Sequence, residues 1–358
     1  MNGIYVHIPF CARKCGYCDF HSVTGAGRWG AYEEELRREM DCRRSSLRYT
    51  SVYFGGGTPS LPVAEALPGV LRALRERYDL APDAEITAEA NPDSLTPEKL
   101  AAWREAGIGR VSLGLQAVQP EALRVLGRLH DYEQAAAAVR TAKQEGIARV
   151  SLDLIYGLPG QTLAQWQECL EGALALETEH ISCYALTLAP GTALYGARLP
   201  DADAQADMLE CADELLEGAG LARYEISNWG EPCRHNLAYW RYGEWLGLGA
   251  SAHGHLGACR YANALIGEYL TGKHEREREA LPPREEALEC AMMGLRLVEG
   301  IDPTAIGRRF GVPVSAFLNE AGTGRLAQLG LLEPGERIRL TKRGLALQNA
   351  VLGELLRI

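Results

Sequence analysis

The chain has 358 residues, of which 47% are hydrophobic and 23% are charged, ordinary values for a soluble globular protein. This length exceeds one small core, so we expect one large domain and a smaller one. The net charge of −10 argues against a nucleic-acid-binding protein, which would present a basic surface. No apolar run approaches the roughly 20 residues of a membrane helix, and the N-terminal segment lacks a secretory signal pattern. We therefore expect a cytoplasmic protein.

Short β-branched or aromatic runs alternate with segments of helical spacing over residues 1–220. The predicted strands are Ile4–Ile8, Ser51–Phe54, Glu85–Glu89, Arg110–Leu115, Arg149–Ile155 and Ile181–Thr187, and the predicted helices cover roughly 29–45, 63–78, 97–107, 131–145, 162–176 and 203–219. Six successive βα units predict a parallel sheet, because parallel strands need crossover connections. Periodicity alone leaves open a doubly wound sheet or an incomplete TIM-like barrel. In both, ligands bind at the carboxyl ends of the strands.

The pattern changes after residue 220. Residues 221–275 are rich in Gly, Trp, Tyr and His without a clean helical period, which predicts a loop-and-strand extension packed on the core. The charged stretch Lys273–Pro283, which ends in two prolines, is typical of a linker. Residues 284–358 then predict a small helical domain.

The last 75 residues resemble a winged helix in their order of elements. Asp302-Pro303 predicts a helix start and Gly311 its end, Leu332–Leu340 predicts a hairpin, and Thr341 predicts the cap of a final helix. Ten Arg and Lys against nine Asp and Glu give this region no basic surface for DNA. A lid or packing role is therefore the preferred interpretation.

Three of the ten cysteines, Cys11, Cys15 and Cys18, lie within eight residues directly after the first predicted strand. Thiolates are soft ligands suited to iron–sulfur clusters, and three of them leave one iron of a [4Fe–4S] cluster open to a small molecule. A zinc site is the alternative, with His21 as a fourth ligand. The seven scattered cysteines are interpreted as buried small hydrophobes.

A glycine triplet in Gly55-Gly56-Gly57-Thr58-Pro59 follows the second predicted strand. Glycine lets backbone amides approach a ligand where a Cβ would clash. The cysteine loop and this glycine run together resemble the radical-SAM superfamily, in which S-adenosylmethionine (SAM) chelates the open iron. That resemblance implies a partial (β/α)6 TIM-like barrel, with Tyr17 as the aromatic residue before the third cysteine.

A closer resemblance, over nearly the whole chain, is to the oxygen-independent coproporphyrinogen III oxidases and the related HemW family of heme chaperones. The shared stretches are 5–11, 54–59, 89–92, 110–116 and 153–162. This similarity implies SAM contacts from Tyr5, Gly56, Gly57, Thr58 and Glu89, and cavity positions for Gln116, Arg128 and Asp153. Carboxylate and amide groups at strand ends suit ribose hydroxyls or an ammonium group, and Arg128 suits a carboxylate.

Two features of the chain resemble the heme chaperones and differ from the oxidases. Phe20 stands where the oxidases carry another cysteine, and only ten residues precede Cys11. The segment His235-Asn236-Leu237-Ala238-Tyr239-Trp240 matches an HNxxYW motif of HemW-like proteins that is associated with heme binding. His235 could ligate heme iron while Tyr239 and Trp240 cover a porphyrin face. A histidine that is hydrogen-bonded within an aromatic core is the structural alternative, and Cys233, His253 and His255 are further candidate ligands.

Three functions remain open from the sequence. The first is a heme chaperone that binds a [4Fe–4S] cluster, SAM and heme and passes heme to an unidentified acceptor protein. The second is an enzyme that cleaves SAM to a 5′-deoxyadenosyl radical for coproporphyrinogen III decarboxylation or methylation, with an electron donor such as a flavodoxin or ferredoxin. The third and weakest is a zinc-stabilised regulatory module. We expect no nucleic-acid partner and a membrane association only through a heme acceptor.

Overall fold

The fold is organised around a twelve-stranded sheet within residues 1–357, the part of the chain that this computed structural model describes. The strands are β1 Gly3–Ile8, β2 Phe10–Cys11, β3 Val23–Thr24, β4 Arg48–Gly56, β5 Asp79–Ala90, β6 Arg110–Gln116, β7 Arg149–Tyr156, β8 His180–Ala185, β9 Arg223–Glu225, β10 Asn228–Gly230, β11 Trp245–Leu248, β12 His253–Leu256, β13 Cys259–Asn263, β14 Glu275–Ala280, β15 Leu332–Glu333 and β16 Arg339–Leu340. The strand order in the large sheet is β14-β13-β12-β11-β1-β4-β5-β6-β7-β8-β10-β9.

The centre of the sheet is a parallel barrel segment. β1 and β4 to β8 pair in parallel, and each is the neighbour of the next barrel strand along the chain. A doubly wound sheet reverses its strand order at a switch point, and no such reversal occurs among these six strands. Additional strands continue the sheet beyond both β1 and β8. The six predicted strands are confirmed, and they form a partial (β/α)6 barrel.

Helices connect the barrel strands and continue into the C-terminal region. They are α1 Trp29–Cys42, α2 Ala66–Arg77, α3 Pro97–Ala106, α4 Pro120–Leu126, α5 Tyr132–Gln144, α6 Leu163–Leu174, α7 Ala202–Gly218, α8 Arg234–Trp240, α9 Ile266–Tyr269, α10 Pro283–Gly294, α11 Pro303–Phe310, α12 Glu320–Gln328, α13 Lys342–Ala346 and α14 Gln348–Leu355. The predicted helices of the barrel are confirmed within a few residues. Gly107 and Gly146 follow α3 and α5 at φ of +93° and +80°, the left-handed conformation expected after a helix.

One helix starts later than the sequence pattern predicts. α2 begins at Ala66, so Val63 lies outside it and is 70% exposed. Pro68 and Gly69, which weaken the prediction of a helix, are the third and fourth residues of α2, and both are buried. Proline is tolerated there because the amide groups of a first turn have no intrahelical acceptor.

The predicted extension adds strands to both edges of the barrel sheet. β11 pairs in parallel with β1, and β12, β13 and β14 follow as antiparallel strands. β10 and β9 extend the opposite edge from β8. The linker interpretation of Lys273–Pro283 is wrong for most of its length, because β14 pairs there with β13 from Cys259 to Asn263. Its charged residues lie on an edge strand, where charge protects an unpaired edge from association.

Two large hydrophobic clusters organise the described chain. One fills the space between the barrel sheet and its helices, and the other collects side chains between Ala287 and Leu356 together with Tyr242. In the second region most of the predicted signals are confirmed: Asp302 caps α11, Gly311 ends it, and β15 pairs with β16. Thr341 caps α13, but the predicted final helix is divided in two, because α14 follows α13. The domain boundaries at 220, 275 and 284 stay predictions. None of the helices within residues 1–357 has the length and apolarity needed to cross a membrane.

The scattered cysteines fit the hydrophobic interpretation only in part. Cys169, Cys183, Cys233 and Cys290 are buried, whereas Cys211 and Cys259 are half-buried. Cys42 is exposed at the end of α1 and therefore contributes nothing to a core.

Candidate functional site

A cavity of about 470 Å³ opens at the carboxyl ends of the barrel strands. It is lined by the three clustered cysteines, by the glycine run and by strand-end polar residues: Cys11, Cys15, Tyr17, Cys18, Gly56, Gly57, Thr58, Glu89, Asn91, Gln116, Arg128 and Asp153. Every residue predicted for the cluster and SAM, except Tyr5, contributes to this lining. We call it the cysteine cavity.

The glycine run packs directly against the cysteine loop. The amide of Gly57 donates a hydrogen bond to the carbonyl of Ile8, N···O 2.8 Å, which joins the end of β4 to the end of β1. A Cβ on Gly57 would lie 2.7 Å from the carbonyl oxygen of Phe10 and 3.0 Å from Cys11 Sγ. No other residue fits there without moving the loop. The sequence Gly56-Gly57 therefore sets how closely the first cysteine approaches the barrel.

A chain of hydrogen bonds connects two of the cysteines. Thr58 Oγ1 donates to Cys11 Sγ at 3.6 Å and accepts from Asn91 Nδ2 at 3.2 Å. Arg128 donates from one guanidinium nitrogen to Asn91 Oδ1 at 2.7 Å and from the other to Cys15 Sγ at 3.7 Å. Hydrogen-bond donors beside ligating sulfur atoms orient them and tune the metal centre they hold. The sequence reasoning missed Asn91, although it lies two residues after Glu89 at the same strand end.

Glu89 lies at the end of β5 with both carboxylate oxygens engaged. Tyr53 Oη donates to Oε1 at 2.9 Å, and the Gly56 amide donates to Oε2 at 3.1 Å. Burial, reinforced by the nearby Asp153 carboxylate, raises the pKa of Glu89 to about 7. Gly56 adopts a φ of +115°, and a Cβ on it would lie 2.7 Å from the His7 ring, so this position requires glycine. A bound cation would favour the ionised form of this carboxylate.

The neighbouring strands β6 and β7 contribute Gln116 and Asp153 to the cavity lining. Ser112 Oγ donates to Asp153 at 3.0 Å, while burial raises the pKa of the Asp153 carboxyl. Gln116 has a φ of +66°, rare for a residue with a Cβ, at an irregularity in the pairing of β6 with β7. Such strain is concentrated at binding sites. A Cβ on Gly114 would lie 2.7 Å from Gln116 Nε2, so Gly114 makes room for this side chain.

A second pocket of about 720 Å³ adjoins the cysteine cavity, and we call it the aromatic pocket. The two share lining residues, among them Phe20, Tyr53, Glu89, Tyr184 and Asn236. The predicted SAM contact Tyr5 lines the aromatic pocket, where its hydroxyl is 3.0 Å from His7 Nδ1. Further lining residues come from α8, from the strands β11 to β14 with their connections, and from the end of α10: Tyr239, Trp240, Trp245, Ser251, His253, Leu265, Arg276, Met293 and Arg296.

Residues of the HNxxYW motif line this pocket, but they differ in how deeply they are buried. Tyr239 and Trp240 are half-buried lining residues, and their contact with a porphyrin stays a prediction. His235 is 1% exposed; its Nδ1 is 2.9 Å from Ser51 Oγ and its Nε2 is 2.9 Å from Tyr239 Oη. Burial, reinforced by Arg110, lowers the pKa of His235 to about 3. This geometry favours the structural alternative for His235, since iron ligation would require one of these hydrogen bonds to break.

The zinc interpretation depended on His21, which lines the aromatic pocket. Its Nε2 accepts a hydrogen bond from the Ile266 amide at 3.2 Å. Within residues 1–357, no three His, Cys, Asp or Glu side chains lie close enough together to hold a single metal ion. His21 is therefore held by the sheet extension, which weakens its assignment as a fourth zinc ligand.

Comparison with known proteins defines the class. The model of the Radical SAM superfamily matches residues 5–172, and that of the HemN C-terminal domain matches residues 281–347. The coproporphyrinogen III oxidase HemN from Escherichia coli has the same fold, with a TM-score of 0.86 and 23% identity over 99% of this chain and 89% of the other. Fold and cysteine cavity therefore place the chain among radical-SAM proteins.

Full-length relatives narrow the class to one family. The heme chaperone HemW from Mycobacterium tuberculosis is 40% identical over 99% of this chain and 94% of its own length. The heme chaperones HemW from Haemophilus influenzae and Bacillus subtilis are 33% and 32% identical over 98% and 99% of this chain and 96% and 99% of their own lengths. The chain belongs to the HemW family of heme chaperones.

Proposed function

We propose that this protein is a heme chaperone of the radical-SAM type, which binds a [4Fe–4S] cluster, SAM and heme and transfers heme to an acceptor protein. Family membership implies these three cofactors. The observation that carries the proposal is that two pockets with different lining residues adjoin: a cavity lined by three cysteines and an aromatic pocket of about 720 Å³. A protein that only cleaved SAM would need a substrate site, but not one walled by the HNxxYW aromatics.

Cys11, Cys15 and Cys18 would hold the cluster. The fit rests on two features of the cavity: Thr58 and Arg128 donate hydrogen bonds to Cys11 and Cys15, and a cradle beside Gly57 exists only because a Cβ is missing. When bound, a reduced cluster supplies one electron to SAM. The protein contributes binding and orientation.

The strand-end residues would hold SAM against the cluster. Glu89 presents a carboxylate whose ionisation a bound ammonium would favour, and the Gly56–Thr58 backbone gives close access beside it. Asp153 and Gln116 suit ribose hydroxyls. The sequence predicts that Arg128 binds a carboxylate. In the structure its guanidinium contacts Cys15 and Asn91. We therefore propose that Arg128 both supports the cysteine loop and contacts the bound SAM.

Heme would occupy the aromatic pocket, where Tyr239 and Trp240 offer faces for a porphyrin. Phe20, which replaces an oxidase cysteine, lines both pockets and is 61% exposed. Exposed apolar surface at the pocket mouth suits a ligand that must leave for an acceptor. The acceptor itself is an unidentified protein.

A radical-SAM enzyme is the second candidate, because the cysteine cavity brings together the residues predicted for SAM. In that function the aromatic pocket would hold a substrate for decarboxylation or methylation, and a flavodoxin or ferredoxin would deliver electrons. Turnover of 5′-deoxyadenosine only in the presence of such a substrate would support it.

An anaerobic heme titration followed by absorbance tests the first candidate. We expect saturation near one heme per chain in cluster-loaded protein, without sustained 5′-deoxyadenosine formation when heme and SAM are both present. A protein that binds no heme, yet turns over SAM with a porphyrinogen, would be an enzyme and not a chaperone.

A further inference from the structure

The lining of the aromatic pocket combines side chains of different chemistry. Tyr239 and Trp245 pack edge to face at 4.9 Å between ring centroids. The same lining carries His253 at the start of β12 and Arg276 on β14. An apolar plate beside a nitrogen donor and a cation matches the parts of a heme: the porphyrin plane, the iron and the propionates.

Four histidines line this pocket, and three have ring nitrogens committed to protein partners. His235 bonds Ser51 and Tyr239. The His7 ring lies 3.0 Å from Tyr5 Oη and 2.9 Å from the His21 carbonyl oxygen, and His21 Nε2 accepts from a backbone amide. Within residues 1–357, the His253 ring makes no hydrogen bond to protein and is exposed. His253 is therefore the lining histidine whose nitrogens can bind iron without breaking existing contacts.

The setting of His253 suits iron ligation. Partial desolvation, with a smaller contribution from the positive charge of Arg276, lowers the pKa of His253, which favours the neutral imidazole that binds metals. Its backbone is fixed because His253 pairs with Ala262 in the β12–β13 ladder. A ligand on a strand is held more firmly than one on a loop.

Arg276 provides the charge complement. Its guanidinium is 39% exposed and pairs with the Glu277 carboxylate at 2.9 Å. An exposed ion pair of this kind contributes little free energy, so a propionate can replace Glu277 at small cost. Arg296, which also lines the pocket, lies with its guanidinium carbon 4.3 Å from the centre of the Trp240 ring and is paired with Glu225.

We propose that heme binds in the aromatic pocket with His253 as an axial iron ligand and Arg276 paired to a propionate. This assignment rests on the proposed heme-binding function. It leaves His235 as a positioning residue, which fixes Tyr239 in the pocket wall through its 2.9 Å contact with Tyr239 Oη. Ligation adds one coordinate bond from the imidazole nitrogen to iron and changes no oxidation state.

The test compares heme binding by wild-type protein with that of His253→Ala and two matched histidine variants of the same pocket, His21→Ala and His235→Ala. Absorbance and electron paramagnetic resonance report the iron ligands independently of any activity. For His253→Ala we expect a shifted Soret band, a ferric signal of changed ligation and at least tenfold weaker binding. Added imidazole should restore the wild-type spectrum, because it can enter the space left by the side chain.

The variants of the other residues should behave differently. His21→Ala and His235→Ala should keep the wild-type ligation signature, with His235→Ala weakened only in affinity. Arg276→Gln should bind heme several-fold more weakly with an unchanged spectrum. A wild-type spectrum in His253→Ala, or loss of the axial signature in His21→Ala or His235→Ala, would overturn the His253 assignment while leaving the chaperone function in place. If wild-type protein binds no heme at all, the proposed function fails first.

Discussion

The cysteine cavity and the aromatic pocket adjoin, yet they are built in opposite ways. The cavity collects short segments at or after the ends of barrel strands, and the residues of each motif line it together. The aromatic pocket is assembled from the sheet extension, α8 and α10, and its most conspicuous motif histidine is turned inward to Ser51. A motif at a strand end therefore places its residues in one shared cavity, whereas a motif on a packed helix is divided between the protein interior and a pocket wall.

The largest expected effect comes from removing one of the three cysteines of the cysteine cavity. Replacing Cys11, Cys15 or Cys18 singly by Ala should abolish cluster assembly, because three thiolates are the full protein ligand set of such a cluster. Iron and sulfide analysis after anaerobic reconstitution measures this, with Cys42→Ala, exposed and outside both pockets, as the matched control. Full cluster content in any one of the three variants would refute that residue's assignment as a ligand.

The next largest effect comes from a substitution that disturbs the packing of the cysteine cavity and leaves its three cysteines in place. Gly57→Ala should lower both cluster content and SAM affinity at least tenfold, since the new methyl group would lie 2.7 Å from the Phe10 carbonyl oxygen and displace the cysteine loop. Gly27→Ala is the control, because a Cβ at Gly27 meets nothing within 4 Å. Equilibrium binding of SAM and iron content give the readouts. Equal behaviour of the two variants would show that the close approach of Gly57 is unimportant.

A pH-dependent effect follows from Glu89. Its pKa of about 7 lies above that of an exposed glutamate, so ionisation costs the folded apo protein stability as pH rises from about 4.5 to 7. Glu89→Gln should therefore stabilise the apo protein increasingly over that window, by a few kcal/mol at most, with no further gain above pH 7. Denaturant unfolding at pH 5 and pH 8 measures the gain.

The same substitution should have the opposite effect on ligand binding. SAM affinity of wild-type protein should rise as Glu89 ionises near pH 7, whereas Glu89→Gln should bind weakly with its rise near pH 7 reduced. An undiminished rise in the variant would assign the titration to another group and remove Glu89 from the SAM site.

The smallest effect tunes the cluster without removing it. Arg128→Gln takes away a charged donor to Cys15 Sγ, and such donors stabilise the more negative reduced state of a cluster. We expect nearly full iron content, but a lower reduction potential in a titration followed by electron paramagnetic resonance. Arg124→Gln on the exposed face of α4 is the control. An unchanged potential would leave Arg128 with a role toward the bound ligand alone.

Much of the fold could be predicted because each strand and helix of the barrel has a recognisable local sequence pattern. Strands such as Arg110–Gln116 are short and rich in β-branched or apolar residues, and caps such as Gly107 need a left-handed backbone. The barrel topology came from a resemblance, because hydrophobic periodicity does not encode strand order. β14 was missed since an exposed edge strand made of Glu and Arg has neither an apolar run nor an alternating one.

Some residues of the candidate site could likewise be predicted from the sequence, and others could not. The three cysteines could be singled out because they are crowded within eight residues of the sequence, and Glu89 because it ends a predicted strand. Asn91 was missed because its role exists only through Thr58 and Arg128, which lie 33 and 37 residues away. The environment of His235 was hidden for the same reason, since Ser51 is separated from it by 184 residues.

A heme-transfer assay is the most direct test of the proposed chaperone function, the transfer of bound heme to an acceptor protein. Cluster-loaded protein carrying heme and SAM is mixed anaerobically with an apo heme protein, and the Soret band is followed as heme changes its ligands. We expect heme to saturate near one per chain and then to pass to the acceptor faster than free heme released into solution could supply it. Heme that never binds, or that reaches the acceptor no faster than by simple dissociation, would contradict a chaperone function.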